Sequence, residues 1–174
     1  MIPENIELDI CLQSPDWDVG FPDYKACIET CFEQIVTQVP EARNFDHIPH
    51  LELSILLSDD QNIRELNKDY RGKDKATNVL SFPSLSPEDI DVFLRKGSEI
   101  PDFPIILGDI IFAYQTIKDE AREQGISFSD HFCHLCLHGM LHLLGYDHIE
   151  DSQADAMEVL EKKLLSKLSI DDPY

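Results

Sequence analysis

Positive charge is scarce in this chain. Its 174 residues hold 14 Lys and Arg against 34 Asp and Glu, a formal net charge of −20. Phosphate affinity comes largely from lysine and arginine, so such an acidic surface excludes indiscriminate binding to nucleic acid. No apolar run approaches the roughly 20 residues that cross a bilayer, which excludes a membrane helix. The amino terminus, MIPENIELDI, carries acid rather than base and lacks the apolar core of a signal peptide, so the expected compartment is the cytoplasm. Cysteines number five, an odd count, and nothing in their spacing suggests a secreted disulfide framework. Cys27 and Cys31 are four apart in one helical segment, and Cys133 and Cys136 three apart in another. A C-x-x-C pair beside histidines is a metal-binding spacing, but a zinc knuckle wants a second pair at suitable spacing, and none appears. All four read as small thiols buried on apolar helix faces.

What is present suits one folded unit. A chain of 174 residues, 43% hydrophobic and 28% charged, is long enough for one substantial core and too short for two comfortable ones. With no internal repeat or break in composition, residues 1–174 are expected to form a single domain. Alternation predicts strands at IELDICL (6–12), LELSILL (51–57), NVLSF (78–82) and PIILGDIIF (104–112). Spacings of three and four predict helices over about 23–39, closed by Pro40, and over 58–70, capped by Ser58 or Asp59 and ended by Gly72. Further helices are expected at 113–124, at 128–145 and, amphipathic, at 151–168. QSPDWDVGFP (13–22) reads as a loop. Residues 83–104, rich in proline, serine and acid, read as a surface loop or lid with one helical turn near PEDIDVFLRK.

The chemistry gathers in HGMLHLLGYDH (138–148). His138 and His142, four apart, share one helix face. Gly145 falls where the helix would stop, because glycine takes the left-handed conformation cheaply, and the chain can then return His148 to the pair. Three imidazoles with an open fourth position describe a catalytic rather than a structural zinc site. The pattern matches the metzincin sequence H-E-x-x-H-x-x-G-x-x-H except that Gly139 replaces the glutamate that acts as general base. Upstream, His131 and His134 continue the same stripe as supporting or structural residues. The scarce cations are also unevenly spread: RELNKDYRGKDK (64–75) holds five of the fourteen. By composition alone this is a solvated helix end and turn.

Taken with YRGKDKATNVLSFP (70–83) and LGDIIF (107–112), the histidine block resembles the YbeY family of endoribonucleases, bacterial rRNA maturation factors, across most of residues 50–150. The resemblance implies an α+β fold with a four-stranded mixed sheet and helices packed around a central metal-binding helix. It implies one Zn2+ per chain held by His138, His142 and His148, with Arg71 facing the metal across a cleft. It also implies a role in rRNA 3′-end processing and 30S quality control, with contacts to pre-rRNA and the small subunit; a basic ribosomal protein as docking partner would reconcile these with the net charge of −20. Ala76 departs from the proline the family commonly carries in GKDKPT, which loosens the turn without removing chemistry.

The missing base fits that implication. Zinc lowers the pKa of bound water to about 7, so hydroxide forms without a dedicated base. A peptide's poor amine leaving group still needs a proton donor. A phosphodiester needs its equatorial oxygens stabilised, which zinc and the planar fork of Arg71 can share. Asp147 has two roles open to it: bonding a ligand imidazole or the turn backbone, or accepting a proton from the zinc water. Thr77 and Asn78 contact phosphate or sugar, or begin a strand, and Asp109 orients the site or caps its neighbourhood. A zinc metallopeptidase, and a non-catalytic assembly factor with structural zinc, stand as alternatives.

Overall fold

The computed structural model describes residues 1–174. In chain order the elements are β1 (Ile6–Leu12), α1 (Asp16–Gly20), α2 (Tyr24–Gln38), β2 (Leu51–Ser58), α3 (Asp60–Arg71), β3 (Val79–Pro83), α4 (Pro87–Asp89), β4 (Ile105–Ala113), α5 (Tyr114–Gln124), α6 (Phe128–Leu143) and α7 (Asp151–Lys167). Apolar residues at every second position of β2 put Leu51, Leu53, Ile55 and Leu57 on one buried face. β2 pairs in parallel with β1 on one side and with β4 on the other, and β3 closes the sheet antiparallel to β4. The order is β1-β2-β4-β3, a mixed four-stranded sheet.

Helix boundaries follow local chemistry. The Asp59 carboxylate accepts from the Asn62 N–H at 2.9 Å and starts α3, while Gly72 at φ 68° stops it. Ser127 caps α6 by accepting from the Asp130 N–H at 3.0 Å. On one face of the sheet, α2, α5, α6 and α7 enclose a core of 34 buried residues. On the other, α3 covers a small cluster of Ile63, Leu80, Ile111 and Ala113. α6 is central to the larger layer, touching α2, α5, α7, β3 and β4, with ten of its sixteen residues buried. Leu137, Leu141 and Leu143 are fully enclosed, each contributing about 1.5–3 kcal/mol. That packing fixes the helix that carries the histidines.

Two stretches differ from expectation. Residues 13–22 contain α1, because Trp17 is wholly buried against Tyr114, Phe128 and Phe132 and its indole N–H donates to the Ser58 carbonyl at 2.9 Å. Within residues 83–104 the expected helical turn is present, but it is anchored in the core rather than lying on the surface. Ser86 caps α4, which widens into a π-helical turn over Ile90–Arg95, and Ile90 and Leu94 enter the main core. The Asn44 amide holds that turn by donating to the carbonyls of Leu94 at 2.6 Å and Arg95 at 3.2 Å. Two apolar residues four apart, hidden among prolines and acids, are enough to seat the segment.

Candidate metal centre

His138 and His142 project from the last turns of α6, and their Nε2 atoms lie 3.0 Å apart. After Leu143 the chain tightens: the Gly145 N–H donates to the His142 carbonyl and the Tyr146 N–H to that of Leu141, both at 3.1 Å. Gly145 takes φ 95°, a conformation closed to most side chains. His148 then returns to the pair, its ring centre 5.7 Å from that of His138 and 5.1 Å from that of His142. One nitrogen from each ring lies within 4.8 Å of the other two. Nitrogens sharing a tetrahedral ion at about 2.0–2.1 Å stand roughly 3.3 Å apart. The donor set therefore fits one metal ion.

The supports of these rings come from distant segments. His138 Nδ1 meets Glu161 Oε1 at 2.5 Å, which fixes the proton on Nδ1 and turns the Nε2 lone pair toward the other imidazoles. Glu161, on α7, is fully buried. Its Oε2 faces His134 Nε2 at 3.4 Å and accepts from the Tyr174 hydroxyl. Burial by itself would raise the Glu161 pKa, but the bonds from His134, His138 and Tyr174 bring it down to about 2. Burial, reinforced by the charges of His138 and His148, lowers His142 to about 4. At neutral pH that ring is neutral and offers a lone pair.

A second set of contacts holds the loop that carries His148. The Tyr146 hydroxyl donates to Glu41 Oε2 at 2.8 Å, and Arg95 Nε donates to Glu41 Oε1 at 3.0 Å. Ile90 sits directly under Gly145. Asp147 Oδ1 accepts from the His148 backbone N–H at 2.7 Å, so this carboxylate engages the turn backbone.

The imidazoles open into a cleft of about 630 Å³ that Arg71, Thr77, Asn78 and Asp147 also line. Arg71 is its only cation and Asp147 its only carboxylate. Thr77 adds a hydroxyl-bearing side chain to the lining. Asn78 is already engaged: its side-chain Nδ2 donates to Glu120 at 2.9 Å and its side-chain Oδ1 accepts from the Val79 N–H at 2.7 Å. Glu120 also holds the buried His131 at 2.7 Å, tying β3 to α6. His134 reaches the site only through Glu161. Asp109 does not reach it: with Asp9 it lines a separate, mainly apolar hollow of about 550 Å³. The basic run divides as well. Arg64 is spent on Asp74 at 2.8 Å away from the cleft, leaving Arg71 to face it.

The site also explains Gly139. A Cβ there would stand 3.0 Å from Ile110 Cγ2 and 3.2 Å from Ser81 Oγ, because α6 lies close against β3 and β4. A longer side chain would have to displace the sheet. The glutamate is absent from a position that has no room for one.

Glu161, Tyr174, Glu41 and Arg95 were not singled out from the sequence. A signal existed for Glu161: with Met157, Leu164 and Leu165 it makes one buried stripe, and a lone acid on an apolar stripe needs a partner. The thiols need a correction. Cys133 and Cys136 do have a second pair near them, Cys27 and Cys31 of α2, brought in from about a hundred residues away.

A mixed-sheet α+β domain offering three imidazoles and a guanidinium to one cleft is built as a metal-dependent hydrolase. The family model described as Endoribonuclease YbeY matches residues 16–169, and the chain belongs to that family. Proteins named Endoribonuclease YbeY are 44% identical over 97% of this chain and 96% of their own in Paramagnetospirillum magneticum, and 43% identical over 96% of both chains in Rhizorhabdus wittichii. The solution structure of TM1509 from Thermotoga maritima superposes with a TM-score of 0.57 at 26% identity, covering 93% of this chain and 89% of that one.

Proposed function

We propose that this chain is a zinc-dependent endoribonuclease directed to single-stranded RNA. It would act in the cytoplasm as one domain, in rRNA 3′-end maturation and quality control of the small ribosomal subunit. The observation that carries the reading is the sharing of one cleft by His138, His142, His148 and Arg71, with no general-base glutamate at position 139. When bound, the ion supplies a Lewis acid and lowers the pKa of coordinated solvent to about 7.

The chain's own residues supply the rest. His138, oriented by Glu161, and His142, kept neutral by burial, hold the ion with His148. The Arg71 guanidinium grips two oxygens of the scissile phosphate and offsets the charge that builds on them. Tyr70 is 70% exposed at the cleft and edge-on to Phe82, a surface on which an unstacked base can lie. The −20 net charge disfavours RNA elsewhere on the surface, so specificity comes from this cleft and from a basic ribosomal protein that docks the acidic body.

The test compares wild type, His142→Ala and Arg71→Glu for zinc content and for cleavage of structured rRNA fragments. Arg71→Glu is expected to keep its zinc and lose cleavage, and His142→Ala to lose cleavage together with the zinc held by the imidazoles. Unchanged cleavage by His142→Ala overturns the proposal. Association with small subunits is expected to weaken as added salt screens the docking contact.

A further inference from the structure

We infer that α6 carries a second metal site, independent of the imidazoles and suited to a soft cation of the Zn2+ and Cd2+ class. Cys27 and Cys31 stand one turn apart on α2 and face Cys133 on α6. The three Sγ atoms lie within 4.8 Å of one another. Cys27 Sγ is 2.6 Å from Cys133 Sγ, and the Cys31 thiol approaches the Cys133 carbonyl at 3.8 Å. The Cys136 thiol, one turn further along α6, lies beside that of Cys31.

Geometry and softness both point to a metal. Thiolates sharing a tetrahedral ion at about 2.3 Å stand roughly 3.8 Å apart, inside the span of these sulfurs. The closest pair must open to reach that spacing. Cys27 is half-buried, unlike Cys31 and Cys133, and is therefore the thiol through which solvent and an ion can reach the cluster. Cys31 and Cys133 are buried, so hard cations that prefer carboxylate and water are poorly served. A disulfide uses two sulfurs, whereas here three converge and a fourth adjoins them. Each captured ion displaces thiol protons to solvent and cross-links α2 to the helix that bears His138 and His142.

The test uses the full chain, stripped of metal under reductant and titrated anaerobically with Cd2+. Imidazole coordination gives no thiolate-to-cadmium charge-transfer absorption, so that ultraviolet band reports the sulfur site alone. We expect its amplitude to correspond to one sulfur-bound ion per chain, to persist undiminished in His142→Ala, and to vanish in Cys27→Ala/Cys133→Ala while far-ultraviolet circular dichroism stays native. If the double variant fails to fold, the band in wild type and His142→Ala still decides. Absence of the band from both proteins, or recovery of a Cys27–Cys133 disulfide that persists under reductant, overturns the inference. Because the readout ignores the imidazoles and RNA cleavage, it stands or falls apart from the proposed function.

Discussion

The two halves of the imidazole site are held by different means. His138 and His142 belong to a helix that is buried on most sides, and a buried carboxylate braces the first of them. His148 is exposed on the loop beyond, and that loop is tethered through Tyr146 and Glu41 to Arg95. The helical half is preset by a local repeat of four residues. The loop half depends on groups drawn from two distant segments, the turn at Glu41 and the turn of Ile90 and Arg95. A metal site of this kind has one rigid jaw and one that must be positioned.

The largest break in that comparison is loss of the rigid jaw. His142→Ala in a Cys27→Ala/Cys133→Ala background is expected to abolish stoichiometric metal, as read by elemental analysis after gel filtration. Next, Arg71→Ala touches neither jaw: metal content is expected to hold while cleavage of an rRNA fragment falls about 10²–10³-fold, the usual loss when one donor to a developing oxyanion is removed. Glu161→Gln keeps the volume but weakens the acceptor for His138. Competition with a chelator is expected to show metal affinity about 10–100-fold lower.

Gly139→Glu presses α6 against β4, and urea unfolding is expected to show about 1–3 kcal/mol of lost stability. The smallest effect belongs to the loop half. Tyr146→Phe leaves Glu41 with Arg95 alone and is expected to cost about 0.5–1.5 kcal/mol in the same melt, with faster metal release. If Tyr146→Phe loosened the metal more than Glu161→Gln, the division into rigid and positioned jaws would be wrong.

The same division separates what the sequence disclosed from what it hid. His138, His142, Gly145 and His148 lie within eleven residues, so spacing alone exposes them, and the β2 alternation exposes the sheet's central pairing. Resemblance, rather than spacing, picked Arg71 out of its basic run; the structure adds that Asp74 occupies Arg64 and leaves Arg71 at the cleft. Asp109 was misplaced because strand residues alternate faces and nothing local says which face the metal helix covers. The helical turn near PEDIDVFLRK was legible, but its burial was hidden, because composition marks solvent exposure only on average and the apolar anchors Ile90 and Leu94 outweighed the acids around them. The facing thiol pairs were invisible for a simpler reason: their partnership exists only after α2 has packed on α6.

That last point extends to Glu41. Its carboxylate joins a turn near residue 41, a turn near residue 95 and the loop at residue 146, stretches separated by about fifty residues each. Closing loops of that length is slow relative to winding a helix. The third imidazole therefore takes its place only when these remote parts of the polypeptide have met, a condition that spacing within the histidine block does not set.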